Sequence, residues 1–319
     1  MSLRSQNQLH GVLVIDKPSG ATSAAVVTEV RRRLGFEVVG HTGTLDPLAT
    51  GVMAMCLGAA TKLAQWLLAD DKTYDAVIEL GVDTDTLDLD GQVVGGDPAL
   101  AQAVTRDAAL AALTALRGTY DQVPPMYSAI QLDGRRLYDL ARAGEVVDVA
   151  ARSVRIDRLE LITFAPPRLE LAIACSKGSY VRSLVRDLGQ LLGCGAALAE
   201  LRRTSSGRFT LAQALPLAFL DRTTAIAHLI DPATAVGLPA VTVAAADERD
   251  VLDGRVLDRE RFAPPGLAVG DRFQLLTETG AVLALALLQA ERIELVRVLT
   301  YGVVAPPVGG KIGPRTNTR

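Results

Sequence analysis

The 319-residue sequence is poor in aromatics (4%), holds only 3 cysteines, and shows no excess of positive charge. Each shortage excludes something. No apolar run nears the ~18–20 residues that cross a bilayer; the stretch 281–290 has only the length of a core helix or strand. Residues 1–11 are polar and lack the apolar segment of a secretory signal. Cys56, Cys175 and Cys194 are odd in number and widely spaced, so they form neither a disulfide framework nor a C-x-x-C site. A reducing cytoplasm is the expected setting. No G-x-x-x-x-G-K-[ST], G-x-G-x-x-G or H-E-x-x-H occurs, and His10, His41 and His228 are too scattered to announce a metal. The acidic run 83–90 fails the register of a calcium loop, since Gly91 at the sixth position puts Thr86 at the first. A reaction without cofactor or metal is therefore expected.

What is present is an ordinary globular composition, 49% hydrophobic, with a length suited to about two domains. The net charge of -3 does not suggest a nucleic-acid binder, but its distribution is uneven. Residues 176–208 hold six bases against two acids, and Lys311, Arg315 and Arg319 face no acid after 309. Residues 11–16 read as a buried strand, stopped by Lys17-Pro18-Ser19-Gly20. Tyr74, Ala76, Ile78 and Leu80 alternate with polar residues, as do Leu169, Leu171, Ile173 and Cys175, which predicts two half-buried strands. Val181, Leu184, Val185, Leu188 and Leu192 have helical spacing. Strands and helices mix without steady β-α-β alternation, so the expected class is α+β with a mainly antiparallel sheet. Beyond about 235, short apolar runs separated by glycines suggest a small β-barrel, and Pro, Gly and basic residues make 306–319 a flexible tail.

The densest chemistry is GHTGTLDPLATG at 40–51. Asp46 before Pro47 is by default a turn former or helix cap. The neighbouring His41, the glycines and the restriction that Pro47 places on Asp46 favour a carboxylate held out for nucleophilic or base chemistry. Tyr74 alone reads as a core tyrosine and Arg182 as a surface helix charge.

Taken together, these blocks resemble the TruB family of tRNA pseudouridine synthases. The resemblance rests on the 40–51 loop, GVLVIDKPSGATS at 11–23, KTY at 72–74, TDTLDLDG at 84–91, QVPPMYSAI at 122–130 with 134–144, KGSYVR at 177–182 and LRRTSSG at 201–207. It implies a synthase catalytic domain over 9–235 with an RNA-gripping insertion at about 121–152, then a PUA-like RNA-binding barrel over 236–305. It implies isomerisation of uridine 55 in the tRNA T loop, after the target base is flipped out. Breaking C1′–N1 and rejoining through C5 involves no net redox change or hydrolysis, in keeping with the missing cofactor motifs. Asp46 matches the catalytic aspartate, Arg182 its ion-pair partner, and Tyr74 the ring that stacks on uracil. Tyr180 and Leu201 would wall the base pocket, and His41 would contact the RNA. Arg135, Arg136, Arg142, Arg202 and Arg203 would contact RNA more weakly, Lys17 and Pro18 would support the Asp46 loop, and the acidic run would cap turns. Gln131 stands where the family commonly has Lys, which removes one phosphate contact. The partner implied is the T-arm stem-loop of tRNA, bound by a monomer without guide RNA or membrane. A role dominated by tRNA folding, with catalysis incidental, is the alternative.

Overall fold

A strand that is apolar at every position must be covered on both faces, and the run after residue 10 is placed accordingly. The structure, a computed structural model, describes residues 9–67, 71–128, 130–132, 134–145 and 147–299. The chain forms two units, which meet at Val236 and Gly237. The first contains β1 (Gly11–Lys17), α1 (Ser23–Leu34), β2 (Val39–His41), β3 (Thr50–Leu57), β4 (Lys72–Leu80), α2 (Arg106–Ala115) and β5 (Gly118–Gln122). It continues with β6 (Arg152–Ala165), β7 (Arg168–Cys175), α3 (Val181–Leu192), β8 (Ala196–Ser206), β9 (Phe209–Thr210) and β10 (Leu215–Pro216).

One sheet runs β10-β1-β3-β8-β4-β7-β6-β5, with β2 on β3 and β9 on β8. Only β1–β10 and β3–β8 pair in parallel; the other described pairings are antiparallel. The mixed sheet and its helices make the unit α+β, as expected. In β4 the alternation acts as read: Tyr74, Ala76, Ile78 and Leu80 are buried, while Asp75 is exposed. The buried set packs with Leu13, Ile15, Met53, Met55, Ile173 and, from the helices, Val30, Leu184 and Leu188. Each such aliphatic side chain contributes about 1.5–3 kcal/mol by leaving water. Thr22 caps α1 by accepting from the Ala25 N–H at 3.1 Å, and Gly35 ends it in the left-handed region at φ 67°. α3 buries Val181, Leu184, Val185 and Leu188 along one stripe.

The insertion carries a short hairpin, Gln131–Leu132 with Arg135–Arg136, and the helix Leu137–Arg142. The Arg136 side chain lies outside the described residues, as does the predicted tail 306–319.

The second unit holds β11 (Ala240–Thr242), β12 (Arg272–Leu276), β13 (Val282–Leu288) and β14 (Ile293–Val298), paired in that order. The described pairings form a four-stranded sheet, and the barrel expected from the sequence is not confirmed by them. Between β11 and β12 lie the short helices Glu248–Leu252 and Arg259–Phe262, whose Val251 and Phe262 cover the sheet core.

Candidate active site

Asp46 sits in the loop between β2 and β3, and the chain around it is tied down from several directions. Ser23, at the start of α1, accepts from the Leu45 N–H and donates to the Leu45 carbonyl, both at 2.9 Å. The Gly20 N–H donates to the Pro47 carbonyl at 2.8 Å. Lys17, 0% exposed, donates to the carbonyls of Pro18 (2.8 Å), Pro47 (3.1 Å) and Ala49 (2.6 Å). One buried ammonium thus ties the residues just after Asp46 to the end of β1. Burial pushes the Lys17 pKa down to about 8, although the Asp46 charge acts in the opposite direction. Lys17 and Pro18 therefore stand where loop support was expected.

Arg182 projects from the first turn of α3 and meets Asp46 side-on. Its Nε lies 2.9 Å from Oδ2 and its Nη2 donates to Oδ1 at 2.9 Å. The hydrogen bond from Nη2 and the close charge contact of Nε hold the carboxylate against the guanidinium. The guanidinium is 4% exposed and the carboxylate 31%, so Asp46 is the open end of a buried cation. Arg182 is completed by the Thr86 carbonyl at 2.8 Å, the Tyr127 carbonyl at 2.7 Å and Asp88 Oδ2 at 3.6 Å. It is not the surface charge that helical spacing alone suggests.

Asp88 is the residue that sequence reasoning missed. The acidic run was read as turn-capping, and Asp85 does accept from the Gln92 N–H at 2.8 Å. Asp88, however, is buried and shares Arg182 with Asp46. Burial pushes its carboxyl up, against the hydrogen bond from Thr86 and the Arg182 charge. The available signal was position: Asp88 is one carboxylate among four in a tight turn, the one flanked by Leu87 and Leu89.

Tyr74 is buried beside this pair. Arg203 is its partner in the β4–β8 register, and its phenol is pushed up to about 12 by burial, partly offset by that guanidinium. Leu201 is buried on the neighbouring strand, in register with Ala76. Tyr180 precedes α3, and its N–H donates to Gln122 Oε1 at 2.8 Å. His41 accepts from the Gly43 N–H on Nδ1 at 3.2 Å. Burial lowers its pKa, with the Arg203 charge adding to the effect. Asp46, Tyr74, Arg182, His41, Tyr180 and Leu201 thus belong to one neighbourhood built from the β2–β3 loop, β4, β8 and α3. A cavity of about 890 Å³ lies alongside, lined in part by Gly20, Leu48, Asp75, Arg158, Leu201 and Arg202. Among the described residues no cluster of His, Cys, Asp and Glu could hold a metal.

The weaker RNA contacts divide. Arg135 is exposed and pairs with Glu145 at 2.9 Å; Arg142 is exposed over the Tyr138 ring at 5.6 Å. Arg202 is exposed and pairs with Asp16. Arg203 departs from expectation. It is 1% exposed and donates to the carbonyls of Val52 (2.7 Å), Thr44 (3.3 Å) and Gly43 (3.3 Å). Strand parity turns it into the core, away from any solvent-side phosphate.

This arrangement of the sheet has counterparts. A chain from the structure of an H/ACA RNP bound to a substrate RNA containing 2′-deoxyuridine superposes with a TM-score of 0.69 at 23% identity, covering 94% of this chain and 88% of that one. A chain from a Cbf5-Nop10-Gar1 complex gives 0.70 at 24% identity, covering 92% and 86%. The fold is that of a pseudouridine synthase. The description "TruB family pseudouridylate synthase (N terminal domain)" matches residues 31–181, and "tRNA pseudouridylate synthase B C-terminal domain" matches residues 182–236. The tRNA pseudouridine synthase B of Pseudomonas paraeruginosa (strain PA7) is 52% identical over 219 residues, 69% of this chain and 71% of that protein. The protein of the same name from Stutzerimonas stutzeri (strain A1501) shows the same identity and coverage. The chain belongs to the TruB family.

Proposed function

We propose that this protein converts uridine 55 in the T loop of tRNA to pseudouridine, acting alone on the T arm in the cytoplasm without cofactor, metal or guide RNA. The observation that carries this reading is the Asp46–Arg182 pair. A carboxylate held against a buried guanidinium by a 2.9 Å hydrogen bond and a 2.9 Å charge contact, and still open on its outer side, is prepared to meet a ribose carbon or a base. The 52% identical relative that covers 71% of its own length is named for tRNA pseudouridylation, which supplies the substrate class.

In the reaction the extruded uridine enters beside Tyr74, whose ring stacks on uracil, while Tyr180 and Leu201 bound the pocket and His41 contacts the RNA. Asp46, as nucleophile or as base at C2′, assists cleavage of C1′–N1. Arg182 keeps Asp46 aimed. The detached uracil turns and rejoins C1′ through C5; the proton on C5 then leaves and N1 gains one. Arg135, Arg142 and Arg202 contact the phosphates.

The test is single-turnover conversion of a T-arm hairpin by the purified protein. Asp46→Asn should lower the rate by about 10⁴-fold or more while RNA binding stays within about tenfold. Turnover retained by the variant overturns the role of Asp46. A wild-type protein silent on the bare hairpin overturns guide independence.

A further inference from the structure

The reaction proposed above gives no task to one buried amide. Gln122, the last residue of β5 and the first of the QVPPMYSAI segment, is 1% exposed. Both ends of its side chain are used: Oε1 accepts from the Tyr180 N–H at 2.8 Å, and Nε2 donates to the Tyr120 hydroxyl at 2.7 Å. This orientation is forced, since a backbone N–H can meet only the oxygen end of an amide. Tyr120 donates in turn to Asp187 Oδ2 at 3.3 Å, and Asp187 also pairs with Arg186 at 2.7 Å.

Tyr180 is the N-cap of α3, and its side chain makes no capping bond. In a capping box the N-cap N–H is met by a Glu or Gln three residues on. Here that position is Ser183, whose hydroxyl donates instead to the Val123 carbonyl at 2.8 Å. Gln122 supplies the missing acceptor from a different element. The chain after it returns to α3 twice more, because the Val123 carbonyl also accepts from Arg186 at 3.2 Å and the Tyr127 carbonyl accepts from Arg182 at 2.7 Å. Arg182 itself stands in the first turn, where the helix dipole opposes a cation. The start of α3 therefore depends on fastening from outside, and any shift of it moves Arg182 and Tyr180 together.

We propose that Gln122 is a positioning residue: by accepting from the Tyr180 N–H while it donates to Tyr120, its amide fixes the first turn of α3 and so the aim of Arg182 at Asp46. The inference rests on the isomerisation proposed above and adds a side chain that governs its rate while too deeply buried to touch RNA.

The experiment uses the full chain in single turnover on the T-arm hairpin, with rates read across RNA concentration and urea midpoints measured alongside. Gln122→Met keeps length and burial but removes the acceptor. It should lower the saturating rate about 10- to 100-fold, while the half-saturating RNA concentration moves less than about threefold. Gln122→Glu keeps an oxygen for the Tyr180 N–H and should recover to within about fivefold of the wild type. A folded Gln122→Met at the wild-type saturating rate, whether or not its urea midpoint falls, leaves Gln122 a support of the fold only and overturns the proposal. So does a loss confined to the half-saturating concentration, or a Gln122→Glu as slow as Gln122→Met. Should Gln122→Met fail to fold, Tyr120→Phe decides: it leaves Gln122 in place without its Nε2 partner and should cost about three- to tenfold in saturating rate. An unmoved rate there sinks the idea. A wild type that makes no pseudouridine removes the underlying reading first, which separates the two failures.

Discussion

Arg202 and Arg203 are consecutive on β8, yet they leave the sheet through opposite faces. Arg202 is 41% exposed and meets Asp16 at 2.8 Å, whereas Arg203 is sealed in and bonded to backbone carbonyls. The open face, with Asp75, Arg158, Glu170 and Glu200 around a cavity, keeps its charges in water. The covered face holds Arg203, Tyr74 and the core under α1 and α3. On the open side a guanidinium is replaceable, since an exposed ion pair is worth about 0–1 kcal/mol. On the covered side the same group holds otherwise unsatisfied carbonyls, and each one orphaned costs about 1–3 kcal/mol. Identical chemistry becomes solvation on one face and architecture on the other.

The contrast can be broken most severely at the ion pair beside the covered face. Arg182→Met strands Asp88 and the Thr86 and Tyr127 carbonyls, and should lower unfolding free energy by about 3–5 kcal/mol in urea, with pseudouridine formation lost as well. Arg203→Met and Arg202→Met sharpen the comparison directly. The first should cost about 3 kcal/mol or more by the same melt, the second less than about 1. Equal losses would mean that burial does not separate the two arginines.

A smaller effect comes from Lys17. The folded protein holds this proton less tightly than an unfolded chain, whose lysine titrates near 10.5, against about 8 in place. Between those values unfolding takes up a proton, so this group alone makes stability rise with pH. Activity should move the opposite way above about pH 8, since a neutral amine has only two hydrogens for three carbonyls. Urea midpoints and turnover of the wild type and Lys17→Gln across that range check both directions; the variant should lack this contribution to each slope.

Much of this was readable in advance because it follows from periodicity. Tyr74 to Leu80 and Leu169 to Cys175 alternate without interruption, and α3 shows its stripe in five residues. The Asp46 loop stood out because it concentrates glycine, histidine and an Asp-Pro step. Arg203 was not readable for a physical reason: β8 carries register shifts between Leu198 and Glu200 and again between Arg203 and Ser205, and each resets which parity faces inward. Asp88 escaped because its importance depends on an arginine distant in sequence. In the C-terminal unit the short apolar runs announced a sheet, which is present, but cannot announce whether it closes. Its residues 237–299 carry ten carboxylates, seven arginines and no lysine, a composition that offers phosphates no uniform attraction.

Gly51 sits where β3 and β8 run parallel, opposite Arg203, with φ 100°. A methyl group there would stand 2.2 Å from the Arg203 carbonyl oxygen. The absent side chain therefore works as a gauge block: it sets the gap between the strand that leads out of the aspartate turn and the strand that supplies the pocket wall. Evolution can exchange many neighbours in this protein, but any wedge at that spot pries apart the two halves of its workbench.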